Sequence, residues 1–213
     1  MPPFISNWAM AEWIEFFDVL DLDSHEQTSS LPSVSTAALS HDIPPTNRWV
    51  CPPSSYIKLN VDSSTRQRDF RAGIGIVGRT LMGAILFIKS ISSSTCPSPR
   101  VLEALAVREA LQHVLFGQHC HIIVKGDAKI VYQSLNGEIH PPQDIVVIVQ
   151  DCRTLSLSFR SVCFRFVPRI CNGVAHHIAH HALSIDETRV WEVCFPSWCL
   201  HSHQSDIGHL DPL

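Results

Sequence analysis

The chain has 213 residues, of which 45% are hydrophobic and 17% charged, and its net charge is −4, which fits one globular domain with extensions. It contains no run of about 18 or more apolar residues, so a transmembrane helix is not expected. The N-terminus lacks the basic and apolar regions of a secretory signal, and the eight cysteines have no framework spacing. These features favour a reducing intracellular location, nuclear or cytoplasmic, and argue against secretion.

Charge is distributed unevenly along the chain. Residues 1–48 carry a net charge of −6, residues 49–183 a charge of +6, and residues 184–213 a charge of −4. A basic middle between acidic ends suits a domain that binds a polyanion, although chance segregation gives the same pattern. We therefore predict three parts: an acidic N-terminal helix with a linker (1–48), the main domain (49–183) and a short C-terminal tail (184–213).

The N-terminal part divides into two segments of different composition. Residues 6–21 place large apolar side chains at three- and four-residue spacing, which predicts a short amphipathic helix that could bind a protein partner. Residues 22–48 are rich in Ser, Thr and Pro without periodicity, which predicts a flexible linker.

The main domain begins with three predicted strands. In 57–62 apolar and polar residues alternate, which predicts a half-buried strand ending at Asp62. Residues 71–79 and 83–91 predict an antiparallel hairpin. The glycines of 73–78 spell G-x-G-x-x-G, but a dinucleotide site requires this motif between a strand and a helix, and here it lies inside a strand.

Helices and strands alternate in the rest of the domain. Ser98 followed by Pro99 predicts a helix start. The predicted elements are a helix over 100–116, a strand over 120–127, helices over 128–135 and 143–157, a strand over 160–168 and a last helix over 171–183. A leading meander followed by alternating elements predicts an α/β fold in which a mixed sheet carries helices on its faces.

Three acidic residues occupy related positions in this order of elements. Asp62 and Asp127 each end a predicted strand, and Glu103 extends the apolar stripe of the first helix back towards its start. Each has an ordinary explanation as a turn former, a helix cap or a charge favoured by the helix dipole. Taken together, they are expected to converge at one edge of the sheet.

A cluster of carboxylates favours divalent cations, because the like charges repel one another unless cations lie between them. Mg²⁺ prefers carboxylate oxygens, water and phosphates as ligands. Two such ions can bind the attacking water and the leaving oxygen of a phosphodiester. The sequence therefore predicts two Mg²⁺ or Mn²⁺ ions held by Asp62, Glu103 and Asp127.

Several motifs resemble the ribonuclease H-like domain of plant retroelement reverse transcriptases and their host-encoded relatives. They are KLNVD (58–62), AGIGIVGR (72–79), LEALAVREAL (102–111), VKGDA (124–128) and VPRICNGVAHHIA (167–179). The resemblance covers about 49–183. It implies a five-stranded mixed sheet flanked by helices and hydrolysis of the RNA strand of RNA–DNA hybrids by two metals, with Asp62, Glu103 and Asp127 as the metal-site acids.

The chain departs from the family pattern at several positions, which keeps a second interpretation open. Ser63 replaces the glycine that usually follows the first acid, and the loop 168–173 lacks the histidine that some active relatives carry. His176 replaces the fourth acid of ribonucleases H and is a further candidate metal ligand. The alternative is a weak or inactive domesticated module that binds nucleic acid or protein.

Three arginines follow the first strand and are candidate nucleic-acid contacts. Arg66, Arg68 and Arg71 could each bind a backbone phosphate. A solvated loop explains the same residues equally well.

Overall fold

The structure is a computed structural model that describes residues 56–80, 82–115 and 121–207, with side chains as far as residue 203. Its strands are β1 (Tyr56–Arg66), β2 (Arg71–Arg79), β3 (Ile85–Ser93), β4 (His121–Gly126), β5 (Ser161–Phe166) and β6 (Arg189–Trp191). Its helices are α1 (Pro99–Val114), α2 (Lys129–Asn136), α3 (Val146–Ser156), α4 (Gly173–Ala182) and α5 (Ser197–Ile207). The helix and linker predicted for 1–48 lie outside the described residues. Within the described parts of the chain, none of the helices combines the length and apolar character that a bilayer crossing requires.

The strands form one mixed sheet in the order β5-β4-β1-β2-β3-β6. β1, β4 and β5 run parallel, whereas β1, β2, β3 and β6 pair antiparallel. The predicted α/β fold with a mixed sheet is therefore confirmed. The predicted count of five strands is wrong, because β6 adds a sixth at the edge. This strand has only three residues, too few to produce a period-two signal in the sequence.

The first strand has both faces covered. Ile57, Leu59 and Val61 are buried, and so are Lys58, Asn60 and Asp62 on the opposite face. α1 and α4 both pack against β1. A hydrogen bond from Ser63 to α1 and one between Asp62 and α4 assign the two helices to opposite faces of the sheet. The half-buried strand expected from alternation is thus a central strand whose polar face is buried under α4.

Two glycines of β2 let α4 approach the sheet closely. A Cβ added at Gly73 would lie 2.3 Å from the carbonyl oxygen of Ala179, and one at Gly75 would lie 2.4 Å from that of Ala175. Atoms at such separations overlap, so any side chain at either position would push the helix away. The first two glycines of the G-x-G-x-x-G spacing therefore serve helix–sheet packing, whereas Gly78 makes room for the ring of Phe87 on β3.

The segment after α4 packs onto the same sheet. Cys199 of α5 is fully buried with Val77, Ile88 and Val174. Trp191 of β6 and Trp198 of α5 meet edge to face at 6.4 Å between ring centroids. Residues 184–213 were predicted as a tail. In their described part, β6 joins the sheet and α5 packs against it. The division of the chain into 1–48, 49–183 and 184–213 stays a prediction.

Candidate metal centre

Asp62 and Asp127 lie side by side because of the register of the two central parallel strands. The last parallel pair between β1 and β4 joins Asn60 to Lys125, and each aspartate follows that pair by two residues. The sequence predicted that β1 ends at Asp62, and this is wrong. The strand continues to Arg66 because residues 62–66 still pair antiparallel with β2. Asp62 is therefore held by a strand, with only 2% of its surface exposed.

The helix acid reaches the same place from the opposite face of the sheet. Ser98 caps α1 by accepting a hydrogen bond from the backbone N–H of Val101, as the Ser-Pro sequence predicted. Glu103 lies one turn further on, and its Oε1 accepts hydrogen bonds from the backbone N–H of Ser63 at 3.0 Å and from the Ser63 hydroxyl at 2.7 Å. Ser63 thus ties the carboxylate of Glu103 to the strand that carries Asp62.

The three predicted acids meet at one point. One carboxylate oxygen from each of Asp62, Glu103 and Asp127 lies within 4.8 Å of the other two. Burial and the charge of Asp127 raise the pKa of Asp62. Burial and the charge of Asp62 raise the pKa of Glu103 to about 9. Without a cation, the cluster therefore retains a proton at neutral pH.

The cluster has the donor set that a divalent cation requires. All three groups offer oxygen, the ligand type that Mg²⁺ and Mn²⁺ prefer. Glu103 Oε2 is buried and accepts no hydrogen bond from any described residue, and an unsatisfied buried acceptor is costly unless a cation or water binds it. Asp62, Glu103 and Asp127 therefore fit a divalent metal.

His176 lies beside the cluster rather than within it. Its Nδ1 is 2.7 Å from Asp62 Oδ2, and its side chain is 31% exposed. Arg169 Nη2 lies 3.1 Å from Nδ1 and 3.3 Å from Nε2 of the same ring. A tautomer with the proton on Nδ1 donates to Asp62 and leaves Nε2 to accept from Arg169. His176 lies next to Asp62, and its role as a metal ligand stays a prediction.

Asn172 is a site residue that the sequence analysis missed. It is 1% exposed, and its Nδ2 donates to the carbonyl oxygen of Val61 at 2.8 Å and to Asp127 Oδ1 at 3.2 Å. Its Oδ1 accepts a hydrogen bond from Asn60 Nδ2 at 3.0 Å. Asn-Gly near the start of the helix predicted for 171–183 was the signal that could have identified it, since Asn often begins helices. Nothing local indicated that its amide reaches β1 and the acid after β4.

The three candidate phosphate-binding arginines are placed away from the acids, in and around the β1–β2 turn. Arg66 donates to Asp69 and to the carbonyl oxygen of Leu183. Arg71 donates to Ser92, to the carbonyl oxygen of Ile185 and to Asp186. Arg68 is exposed. Binding of phosphate by these arginines stays a prediction.

A cleft of about 400 Å³ opens above the acids. Its lining residues are Asp62, Ser63, Ser64, Thr65, Pro99, Glu103, Asp127, Ala128 and Arg169. Among these described residues, Arg169 is the one with a cationic side chain. A cation at the rim of an acidic cleft is suited to bind an anionic group that enters beside a metal.

The fold is that of ribonucleases H. RNase H1 of the halophilic archaeon Halobacterium salinarum matches with a TM-score of 0.57 and 22% identity over 61% of this chain and 98% of that protein. The N-terminal RNase H domain of Rv2228c from Mycobacterium tuberculosis, solved as a fusion with maltose-binding protein, matches with a TM-score of 0.56 and 21% identity over 62% and 95%. LC11-RNase H1, isolated from compost, was solved in complex with an RNA/DNA hybrid. It matches with a TM-score of 0.56 and 19% identity over 60% and 96%.

The sequence also matches a protein family directly. Residues 60–182 fit the reverse transcriptase-like family, and the chain belongs to that family. None of the curated proteins matches it. The matched range contains every predicted site residue, from Asp62 to His176.

Proposed function

We propose that this protein hydrolyses the RNA strand of RNA–DNA hybrids with the aid of divalent metal ions. The observation that carries the proposal is the convergence of three carboxylates, from two parallel strands and a helix, within 4.8 Å. The ribonuclease H fold supports the same reaction. LC11-RNase H1, which shares this fold, was solved with an RNA/DNA hybrid bound.

The roles of the acids follow from their positions. Two Mg²⁺ or Mn²⁺ ions, when bound, would activate a water molecule and stabilise the charge that develops on the scissile phosphate. Asp62 and Asp127 would hold the ions from the rim of the sheet, where their strands fix both side chains. Glu103 would complete the ligand set from α1, with Ser63 keeping its Oε1 in place.

Substrate binding would use one arginine at the cleft and three more in and around the β1–β2 turn. Arg169 lines the cleft, and its guanidinium can bind a phosphate oxygen beside the metals. Arg66, Arg68 and Arg71 would contact phosphates further along the backbone. Contacts of this kind carry no base information, so we expect the protein to recognise the shape of the hybrid rather than its sequence.

His176 would set the metal preference. In the proposed site it takes the position of a fourth carboxylate, and a neutral imidazole is a better ligand for Mn²⁺ than for Mg²⁺. It also contributes no negative charge, so a second ion would bind more weakly. Weak activity with Mg²⁺ and higher activity with Mn²⁺ are expected.

The second candidate function is a nucleic-acid- or protein-binding module with little or no catalysis. Two observations favour it. Ser63 donates two hydrogen bonds to Glu103 Oε1, which weakens that oxygen as a metal ligand. His176 occupies Asp62 Oδ2 at 2.7 Å. A metal must compete with both contacts.

A hybrid-cleavage assay with the purified full-length protein distinguishes the two functions. The wild type should cleave the RNA strand with added Mn²⁺ and more slowly with Mg²⁺. Asp62→Asn should abolish cleavage, because the amide keeps the shape but loses the charge that holds the ions. Asp151→Asn is a matched control, since this aspartate lies on α3 and pairs with Arg108. Equal rates for wild type and Asp62→Asn would reject the enzyme and favour the binding module.

Cellular context and domain organisation are part of the same proposal. The family assignment supports an origin from a retroelement, and the plant origin rests on the sequence motifs. Among the described residues, Cys96, Cys152, Cys163 and Cys194 are free thiols, which supports a reducing compartment, nuclear or cytoplasmic. Residues 1–48 would lie outside the catalytic domain, and their predicted helix would bind a protein partner.

A further inference from the structure

Among the described residues of the site, Asn172 links β1 to the acid that follows β4 through its side chain. Its Nδ2 bridges the carbonyl oxygen of Val61 and Asp127 Oδ1, while its Oδ1 accepts from Asn60. Both Asn60 and Asn172 are about as buried as core residues, at 2% and 1% exposed. A buried amide with these partners is fixed in orientation, because any other rotamer would leave buried polar groups unpaired.

The contact with Asp127 has a consequence for metal binding. A carboxylate whose one oxygen accepts a fixed hydrogen bond is restricted in rotation, so its other oxygen points in a defined direction. Hydrogen bonds of this kind orient metal ligands and contribute to metal affinity. Without the amide, Asp127 would have to be ordered by the metal itself, at a cost in binding free energy.

Asn172 also connects Asp127 to the residue beside Asp62. The backbone carbonyl of Asn172 accepts the first hydrogen bond of α4, from the N–H of His176 at 3.0 Å. Residues four apart lie on the same side of a helix. The first turn of α4 therefore presents Asn172 to Asp127 and His176 to Asp62, two acids that are neighbours across β1 and β4.

We propose that Asn172 is a positioning residue that orients Asp127 for divalent metal binding and sets the start of α4 against the two strands. This inference rests on the proposed function in that it assumes a metal at the three acids. Asn172 touches neither substrate nor metal in this proposal, and its effect passes through Asp127 and through the placement of His176.

The test measures binding of Mn²⁺ alone to the full-length protein, by electron paramagnetic resonance of the free ion. Asn172→Ala should weaken Mn²⁺ binding about tenfold to a hundredfold, the range seen when a hydrogen-bond partner of a metal ligand is removed. Asn60→Ala should cause a smaller loss, because it removes the anchor of Asn172 but leaves the donor to Asp127. Asn136→Ala is the matched control, since Asn136 also donates to a carboxylate and a carbonyl oxygen, those of Glu138 and Phe164, at the end of α2.

Circular dichroism of each variant separates a role in metal binding from a role in folding. Folded Asn172→Ala with wild-type Mn²⁺ affinity would overturn the inference. If that variant does not fold, Asn172→Ser replaces it, because the smaller hydroxyl still pairs locally but is too short to bridge β1 and Asp127. Failure of both variants to fold would assign Asn172 to the fold alone and likewise overturn the inference.

The same measurement keeps this inference separate from the proposed reaction. A wild type that binds Mn²⁺ but cleaves no hybrid, with Asn172→Ala binding more weakly, would reject the ribonuclease and retain Asn172 as a positioning residue. A wild type that binds no Mn²⁺ would overturn the positioning role, since there would be no ligand geometry for Asn172 to support.

Discussion

The acid cluster and the arginine loop (the β1–β2 turn with Arg66, Arg68 and Arg71) both include residues of β1, but their charges have opposite surroundings. In the cluster, Asp62, Glu103 and Asp127 face one another, and burial raises the pKa of Asp62 and Glu103. In the loop, opposite charges pair within the protein. The Arg66 guanidinium lowers the pKa of Asp69 through a hydrogen bond.

In the proposed site the acids are charges kept for a metal, whereas Arg66 and Arg71 also pair within the protein. Arg71 bonds to three groups, two of them beyond α4, so it fastens the loop to the segment after that helix. The acids have too few internal donors for their charge, and placing them together costs stability that a bound cation can recover.

Replacing Glu103 tests the cluster most directly. Glu103→Gln should abolish Mn²⁺-dependent cleavage, by about a thousandfold or more, since a metal ligand supplies several kcal/mol of transition-state stabilisation. It should also stabilise the metal-free protein at pH 8, by up to about 5 kcal/mol, because the unfolded chain releases a proton there that folded Glu103 keeps. A variant that cleaves normally would show that the acids do not hold the metal.

The sign of the stability effect follows from the proton that Glu103 holds. Its pKa is raised from 4.5 to about 9 in the folded protein, so between these values the folded state binds a proton that the unfolded chain releases. The free energy of unfolding of the metal-free wild type should therefore fall as pH rises through this window. Urea titrations from pH 5 to 9 should show this slope for the wild type and a flatter profile for Glu103→Gln, which retains the amide oxygen for Ser63.

Removing the guanidinium of Arg169, which lines the cleft, should have the next largest effect. Arg169→Ala should raise KM for the hybrid about tenfold to a hundredfold, because a charge-assisted hydrogen bond to a phosphate contributes about 1.5–3 kcal/mol. The slope of log affinity against log salt concentration should become shallower by about one, since one fewer counterion is released. Arg189→Ala is a suitable control, since Arg189 is exposed on β6 and pairs with Glu187. Equal KM values for the two variants would remove Arg169 from the substrate site.

Substitutions in the arginine loop should change the free energy of unfolding or the affinity for the hybrid rather than the rate of the chemical step. Arg71→Ala removes bonds to Ser92, Ile185 and Asp186, and the free energy of unfolding should drop by about 1–3 kcal/mol. Arg68→Ala, at an exposed position, should change stability by less than about 0.5 kcal/mol and instead weaken hybrid binding severalfold. Denaturant midpoints and binding curves should be measured for both variants. Unchanged stability of Arg71→Ala would show that the pairing of Arg71 within the protein does not stabilise the fold.

The smallest expected effect concerns His176. Exchanging it for aspartate places a fourth carboxylate beside Asp62 and should raise Mg²⁺-supported cleavage a fewfold, because the added charge tightens binding of the second ion. Rates across a Mg²⁺ titration should then reach their maximum at lower concentration. His177→Asp, one residue further on the exposed side, is the control. Superimposable curves for wild type and His176→Asp would leave only the three acids in the site.

Much of the fold and part of the site were predictable from local patterns. Alternation identified β1, and Ser98 with Pro99 identified the start of α1, because both signals depend on neighbouring residues. The end of β1 was misplaced at Asp62, since residues 63–66 are polar and their pairing with β2 is a property of the sheet. β6 was missed because three residues give no period and its partner strand lies about a hundred residues earlier.

By itself, the sequence determined the order of the elements from β1 to α4 and the identity of the three acids, because periodicity and the boundaries between apolar and polar segments are local properties. Only the tertiary structure decided which polar groups meet. Asn172 reaches Asn60 across 112 positions of the chain, His176 reaches Asp62 across 114, and Arg71 reaches Asp186 across 115. These contacts arise because the glycines of β2 admit α4 close to the sheet and the parallel register aligns β1 with β4. Both conditions depend on how distant segments pack together, and local sequence patterns do not determine that packing.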